Sequence, residues 1–264
     1  MNFGLIIIGD EILSGKRRDA HFPKVVELLS ARGLQLGWAR YLGDDRARIA
    51  AALEDSFAGD EAAVFCCGGI GATPDDHTRQ AAAMALGVPL QLHPEAAQLI
   101  SERVAQTARE TGASADMDLP ENRLRLRMGE FPAGSEILPN PYNRIPGFSI
   151  RNHFFVPGFP VMAWPMIESV LDGRFAHLHH LEPRGERSLL LFGVAEASAT
   201  PLMEAVEQEF PGIRVFSLPT VGGNGVARHI ELGVKGPLGL LEAAWVRLEA
   251  GARALGGEVR SAKA

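Results

Sequence analysis

Two hydrophobic periods alternate along the first two thirds of the chain. Phe3 to Ile8 is a short, largely β-branched run stopped by Gly9, the pattern of a strand covered on both faces. From His21 to Arg32, Phe22, Val25, Leu28 and Leu29 recur at helical spacing, and Gly33 ends the pattern. Leu34 to Leu42 predicts a second strand, Ile49, Leu53 and Phe57 a second helix, and Ala62 to Cys67 a third strand. Strands and helices alternating at this spacing predict an α/β fold, a mostly parallel sheet with right-handed crossovers. Ligands in such sheets sit beyond the carboxyl ends of the strands. The stretch Gly68-Gly69-Ile70-Gly71-Ala72-Thr73-Pro74-Asp75-Asp76-His77-Thr78 follows the third strand and falls at that edge.

Further along, Pro94 to Thr111 predicts a long helix. Arg123-Leu124-Arg125-Leu126-Arg127 alternates strictly; if extended, it puts three arginines on one face, and otherwise it is a solvated basic face or a short helix. Pro139 to Gly147 reads as a loop, and Phe148 to Ile150 with His153 to Val156 as a hairpin leading into the turn Pro157-Gly158-Phe159-Pro160. A helix from there to Leu171 closes a first domain, residues 1–172. The polar segment 173–186, with His177, His179 and His180, reads as an exposed linker rather than a metal site. Residues 187–264 then predict a small β-α-β-β-α domain, in which Gly222-Gly223-Asn224-Gly225 reads as a loop between strands.

Composition narrows the function classes. With 264 residues, 46% hydrophobic and 22% charged, the chain suits one large or two modest globular domains. A net charge of −6 argues against tracking nucleic-acid phosphates. The amino-terminal apolar run is too short for a signal sequence and lacks a basic flank, and no stretch approaches a membrane span, so a cytoplasmic location is expected. Cys66 and Cys67 are adjacent at the end of an apolar run and read as buried strand residues rather than disulfide or metal partners.

The glycine stretch carries the chemistry. It has neither the Gly-Lys-Ser/Thr of a P-loop nor a complete G-x-G-x-x-G. Glycines nonetheless let backbone N–H groups turn toward an anion, and a helix beginning near Asp76 or Thr78 adds its positive end. Asp75 and Asp76 would repel a phosphate unless a divalent cation, magnesium by preference for hard oxygen ligands, lay between; one of the two could instead be a simple N-cap. Further acidic turns, Gly9-Asp10-Glu11 after the first strand and Gly43-Asp44-Asp45 after the second, can share the same rim. Acidic clusters around one anion site suit metal-assisted attack on a phosphoanhydride.

Gly9-Asp10-Glu11-Ile12-Leu13-Ser14-Gly15 and Gly68 to Thr78 resemble the two signatures of the molybdopterin-binding (molybdenum-cofactor biosynthesis, MoaB/Mog-like) domain. The version here is most similar to the amino-terminal part of the competence/damage-inducible protein A family. Asn140-Pro141, Pro146-Gly147 and Pro157 to Pro160 resemble that family's later loops, and the carboxyl-terminal segment its small middle domain. The resemblance does not extend to the amidohydrolase domain of some members, so nicotinamide-mononucleotide deamidation is not expected. It implies an α/β domain that binds a small phosphorylated ligand, a pterin or a nucleotide, and metal-dependent cleavage of ADP-ribose-type pyrophosphates. The alternatives are a molybdopterin-binding protein of cofactor synthesis and a non-catalytic ligand-binding relative. The implied catalytic residues are Asp44 and Asp76. Ligand contacts fall to Gly9, Gly68, Gly69, Gly71, Thr73, Thr78, Asn140, Pro157 and Gly158, and a divalent metal, magnesium, to Asp10, Glu11, Asp75 and Asp76. A homo-oligomer without nucleic-acid or membrane partners is expected. The sequence departs from the family pattern at Ala72, at Asn143-Arg144-Ile145, at Met162 where glutamate is common, and at His21 where asparagine is usual.

Overall fold

A computed structural model describes residues 2–223 and 227–262. The chain divides into two compact units, Met1–His179 and His180–Ala264. The first opens with β1 (Phe3–Ile8), α1 (Asp10–Leu13), α2 (His21–Ser30), β2 (Leu36–Leu42), α3 (Arg46–Phe57), β3 (Ala63–Cys67) and α4 (Thr78–Leu86). It continues through β4 (Leu90–Leu92), α5 (Pro94–Thr111), α6 (Pro120–Leu126), β5 (Glu130–Pro132), β6 (Glu136–Leu138), β7 (Gly147–Ile150), β8 (His153–Val156) and α7 (Pro160–Arg174).

The central sheet runs β2-β1-β3-β8-β7-β6. β2, β1, β3 and β8 are parallel neighbours, and β7 and β6 add an antiparallel edge. Every residue of β1 and β3 is buried, as the uninterrupted apolar runs predict. Alternate residues of β1 feed opposite cores: Phe3, Leu5 and Ile7 pack with Val25, Leu29, Ile167 and Leu171 of α2 and α7. Ile6 and Ile8 pack with Ile49, Leu53, Ala81 and Ala82 of α3 and α4. Cys66 and Cys67 are free, buried strand residues on these two faces.

The arginine run is helical rather than extended. Pro120 sits in the first turn of α6, extended Leu119 precedes it, and buried Asn122 donates to the carbonyls of Ser114 and Asp116. Proline's fixed φ and the anchored asparagine select the helix over the strand that the alternation alone suggests.

The expected linker is shorter than 173–186. α7 runs on to Arg174, a 3-10 turn covers Ala176–Leu178, and His179 Nε2 lies 3.1 Å from the Leu171 carbonyl. The second unit contains β9 (Arg184–Phe192), α8 (Glu196–Glu209), β10 (Arg214–Thr220), β11 (His229–Pro237), α9 (Leu238–Ala254) and β12 (Glu258–Ser261). Its antiparallel sheet, ordered β10-β11-β9-β12, is packed by Val206, Trp245 and Leu248 from its two helices. The final strand β12 adds to the predicted β-α-β-β-α order; with a single apolar residue, Val259, it carries almost no hydrophobic signal. Part of the glycine-rich loop, Asn224 and Gly225, lies outside the described residues. Among the described residues no helix is long and apolar enough to cross a membrane.

Candidate functional site

The carboxyl ends of the parallel strands meet one cleft of about 410 Å³ in the first unit, a size typical of small-ligand sites. Gly9 after β1, Asp44 after β2, Gly68 to Thr73 after β3, and Pro157 and Gly158 after β8 all line it, with Glu11, Asp75, Asp76 and Asn140. The topology thus gathers most of the residues singled out in the sequence, because a parallel sheet delivers every strand's following loop to the same edge.

The glycine loop is folded by its own side chains. Gly68 and Gly69 have φ of +109° and +67°, which L-residues with a Cβ rarely adopt. A Cβ on Gly68 would strike the Ile8 carbonyl, and one on Gly69 the Thr78 hydroxyl. Thr78 is fully buried; its Oγ1 donates to Gly68 O at 2.9 Å and its N–H to Gly69 O at 3.0 Å. Thr78 therefore clips the loop to α4 and does not line the cleft. His77, not an aspartate, occupies the N-cap of α4. Asp76 instead accepts from the Thr73 N–H and Oγ1 at 2.8 and 2.5 Å, closing the turn. Among the described residues, the backbone N–H groups of Gly69, Ile70, Gly71 and Ala72 donate to no protein acceptor, and all of these residues line the cleft.

Asp10 and Asp44 brace each other's turns reciprocally: the Asp10 N–H donates to Asp44 Oδ2 at 2.8 Å, and the Asp44 N–H to Asp10 Oδ1 at 3.2 Å. Burial raises the Asp44 pKa above the ordinary carboxyl value, against the opposing effect of the Asp10 N–H. Repulsion from Asp10, Glu11 and Asp75 raises it further. Asp75 goes the other way, its pKa lowered mainly by the Thr73 hydroxyl. Asp10 itself is exposed and is not among the residues that line the cleft. Asp45 is a helix cap, accepting from the Arg48 N–H at 2.8 Å. Among the described residues no three His, Cys, Asp or Glu side chains gather closely enough to hold a metal by themselves.

Asn140 lines the cleft, but its amide is occupied within its own turn. Nδ2 donates to Asn143 Oδ1 and Ile145 O at 2.9 and 3.0 Å, and Oδ1 accepts from the Tyr142 N–H at 3.0 Å. Asn143 in turn reaches Met162 Sδ at 3.7 Å. The departures Asn143, Ile145 and Met162 therefore share one wall of the cleft, joined by Met128 and the half-exposed ring of Phe159. That wall is largely apolar where the glycine side is acidic.

Sequence reasoning missed two arginines. Arg79 is 2% exposed. It donates to the Arg127 and Glu130 carbonyls and, from Nη2 at 2.6 Å, to Gly71 O, holding the glycine loop from beneath. Burial lowers its pKa from the ordinary arginine value. Its signal was a lone cation one position into a helix otherwise filled by Ala81, Ala82 and Ala83. Arg17, the one cation among the described residues lining the cleft, lies in the basic run Lys16-Arg17-Arg18.

A family model described as a probable molybdopterin binding domain matches residues 4–177. The chain belongs to that family. The match contains every cleft residue, while the second unit, from His180, lies outside it. A CinA-like protein of Citrifermentans bemidjiense is 36% identical over 218 residues, 79% of this chain and 49% of the relative. A CinA-like protein of an Anaeromyxobacter species (strain Fw109-5) is 30% identical over 253 residues, 89% of this chain and 59% of the relative. The chain thus spans about half the length of the curated relatives it matches. The crystal structure of a CinA protein of unknown function from Thermoplasma acidophilum shares the fold, with a TM-score of 0.53 at 23% identity over 65% of this chain and 98% of that one. For this molybdopterin-binding-domain protein, family membership and the α/β fold with its second small sheet unit agree with the sequence reading.

Proposed function

We propose that the cleft binds a phosphorylated small molecule bearing a flat ring, and that the protein hydrolyses a pyrophosphate link of the ADP-ribose type with a divalent cation. The observation that carries this reading is the run of residues Gly69 to Ala72, whose backbone N–H groups have no acceptor among the described residues and which line the same cleft as Glu11, Asp44, Asp75 and Asp76. Successive free N–H groups form an anion cradle. An anion beside carboxylates needs a cation between them, and Asp44, its pKa raised first by burial and then by repulsion from Asp10, Glu11 and Asp75, is such a carboxylate. Carboxylate oxygens suit magnesium, which takes one or two of them and completes its shell with phosphate and water. Asp44 and Asp75 would hold such an ion, with Asp10 bracing Asp44; bound there, it would neutralise phosphate oxygens.

The chain's own groups have distinct tasks in this reading. The loop N–H groups and Arg17 hold the phosphates, and the wall of Met128, Ile145, Phe159 and Met162 covers the ring. Asp76 keeps the loop closed, and Glu11, which lines the cleft and is not spent on the cation, takes the proton of the attacking water. Water oxygen bonds to one phosphorus as the P–O–P bridge breaks, giving AMP and ribose 5-phosphate from ADP-ribose. Incubating purified protein with ADP-ribose and magnesium should release AMP, and chelation should stop it. No AMP at any metal concentration would overturn the catalytic part. The second reading, pterin binding without cleavage, is favoured by the family match and would then be carried by a pterin copurifying with the protein.

A further inference from the structure

The central sheet ends at β6 on one side and at β2 on the other. A free sheet edge invites another strand unless brevity, proline or charge guards it. β6 is only three residues long, and its Glu136 is paired with Arg174. In the second unit the outer strands are β10, which carries Pro219, and β12, which carries Glu258 and Arg260. β2 is left open. It has seven residues and no proline, and a register shift at Gly37 leaves 38–42 as a regular stretch. Its one charge is turned inward, where Arg40 binds Asp55 at 2.5 Å and the Ala52 carbonyl at 3.3 Å. We propose that this edge is the interface of a homodimer, two copies pairing antiparallel about a twofold axis at Ala39 and joining their central sheets into one.

The backbone selects the register. The Gly9 N–H donates to the Leu42 carbonyl at 3.0 Å. Direction alternates along a strand, so Leu42, Arg40 and Trp38 turn their peptide groups toward β1, and Ala39 and Tyr41 turn theirs outward. Among the described residues these outward groups have no backbone partner. With Ala39 opposite its own copy, its N–H and carbonyl exchange bonds across the axis, and only a methyl group stands there. Trp38 then faces Arg40 of the second copy and Arg40 faces Trp38. These are the closely spaced positions of an antiparallel pair, where indole and guanidinium attract. Arg40 already lies 4.9 Å from its own Trp38 ring, so both groups are presented together. Tyr41 falls against Gly37, which has no side chain to oppose it. An axis at Arg40 would instead set two guanidinium groups opposite each other.

A second surface completes the contact. α2 shares a core with Ala39 and leaves Phe22 and Val26, one turn apart, 41% and 37% exposed. Asp19 ties this helix to the strand, accepting from the Phe22 N–H at 3.1 Å and the Tyr41 hydroxyl at 2.8 Å. Tyr41 and Ala39 lie on the same face of β2. Phe22, Val26 and Tyr41 therefore form an apolar strip flanking the open edge, and the twofold axis brings this strip against its own copy. Burying it gives the strand pairing the apolar core that a peptide ladder alone lacks. The interface stands independently of what the cleft binds.

Sedimentation velocity of the full chain at micromolar concentrations should give roughly twice the 28.4 kDa of one chain. Ala39→Pro removes only an outward N–H and should yield monomer. Val26→Lys, at an exposed position, sets like charges across the axis and should raise the dimer dissociation constant by about tenfold or more. Circular dichroism and unfolding midpoints report whether each variant is folded, and Val26→Lys carries the test if the proline is not tolerated. Ala39→Cys reads the register. The Cα atoms of a hydrogen-bonded antiparallel pair lie about 5.5 Å apart, within disulfide range, so mild oxidation should link two chains. Met84→Cys, on the exposed side of α4, should stay unlinked. A monomeric wild type, a dimer that survives Val26→Lys unweakened, or an Ala39→Cys variant that links no better than Met84→Cys would overturn the interface.

Discussion

At each end of the central sheet burial shifts a titratable group, and to opposite purposes. At the carboxyl end, Gly9, Asp44, Gly68 and Gly158 open onto a cleft, and its acidic groups crowd one another. At the amino end, His153 at the start of β8 is 3% exposed, its Nε2 lies 2.6 Å from Ser56 Oγ, and its ring stands 4.2 Å from that of Phe57. Burial pushes both Asp44 and His153 toward their neutral forms, Asp44 up and His153 down to about 4. The difference lies in what can answer the penalty. The histidine is sealed among aromatic rings and stays neutral, whereas the aspartate faces a cavity where a bound cation can supply the missing charge. A perturbed group marks a site only where the structure leaves room for a partner.

The sharpest way to break this contrast is to remove the support beneath the cleft. Arg79→Met deletes hydrogen bonds to the Gly71, Arg127 and Glu130 carbonyls. At roughly 1–3 kcal/mol for each acceptor left dry, offset in part by no longer burying a charge, the loss should be about 4 kcal/mol. Urea unfolding should show it as a lowered midpoint, and Arg79→Lys should recover part. An unchanged midpoint would mean that the loop holds its shape without the arginine.

The amino end can be probed through pH. The folded pKa of His153 is about 4 against an ordinary 6.5, so between these values the unfolded chain binds the proton that the folded one refuses. Stability from this group is complete above the ordinary value and is lost as pH falls through the window, by about 3 kcal/mol at its lower edge. His153→Gln should flatten the stability profile between pH 6.5 and 4 relative to wild type. Profiles of equal slope would show that the pocket does not exclude the charged ring.

How legible these ends were differs in kind. The parallel strands were readable because β1 and β3 are buried on both faces and so are apolar without interruption. The glycine loop was readable because its positive φ values need glycine, and the acidic turns because each follows a predicted strand. Thr78 and Asn140 bond within their own loops, and a hydroxyl or amide turned toward its own backbone looks the same in sequence as one turned toward a ligand. Arg79 was hidden because its partners are carbonyls from distant loops, which carry no residue-specific signal. The strand β12 was hidden because an edge strand pairing on one side needs little hydrophobicity.

A smaller effect separates loop closure from charge at Asp76. Asparagine can still accept from the Thr73 N–H and hydroxyl through its single oxygen, so Asp76→Asn should change stability by less than about 1 kcal/mol. If the carboxylate contributes to cation-bridged phosphate binding, the variant should bind a nucleoside diphosphate about tenfold more weakly with magnesium, about 1.4 kcal/mol, and equally without it. Unchanged affinity in magnesium would reduce Asp76 to a structural brace.

The smallest expected change is also the one with reversed sign. Asp44 is held in a place that disfavours its charge, so its raised pKa gives a stability contribution that is present at low pH and lost as pH rises past the ordinary carboxyl value. At neutral pH the ionised group works against the fold. Asp44→Asn keeps an oxygen for the Asp10 N–H and removes repulsion with Asp10, Glu11 and Asp75. Because the site is partly open to water, the gain should be small, about 0.5 kcal/mol at pH 7 and vanishing below about pH 4. The same substitution should abolish the magnesium-dependent part of nucleotide binding. Thermal unfolding across pH, paired with titration of ADP and magnesium, reads both at once. A variant that is less stable at neutral pH would show that Asp44 serves the fold like His153 at the other end. A more stable variant that no longer binds would show a group kept under strain for its ligand, which is the difference between the two ends of this sheet.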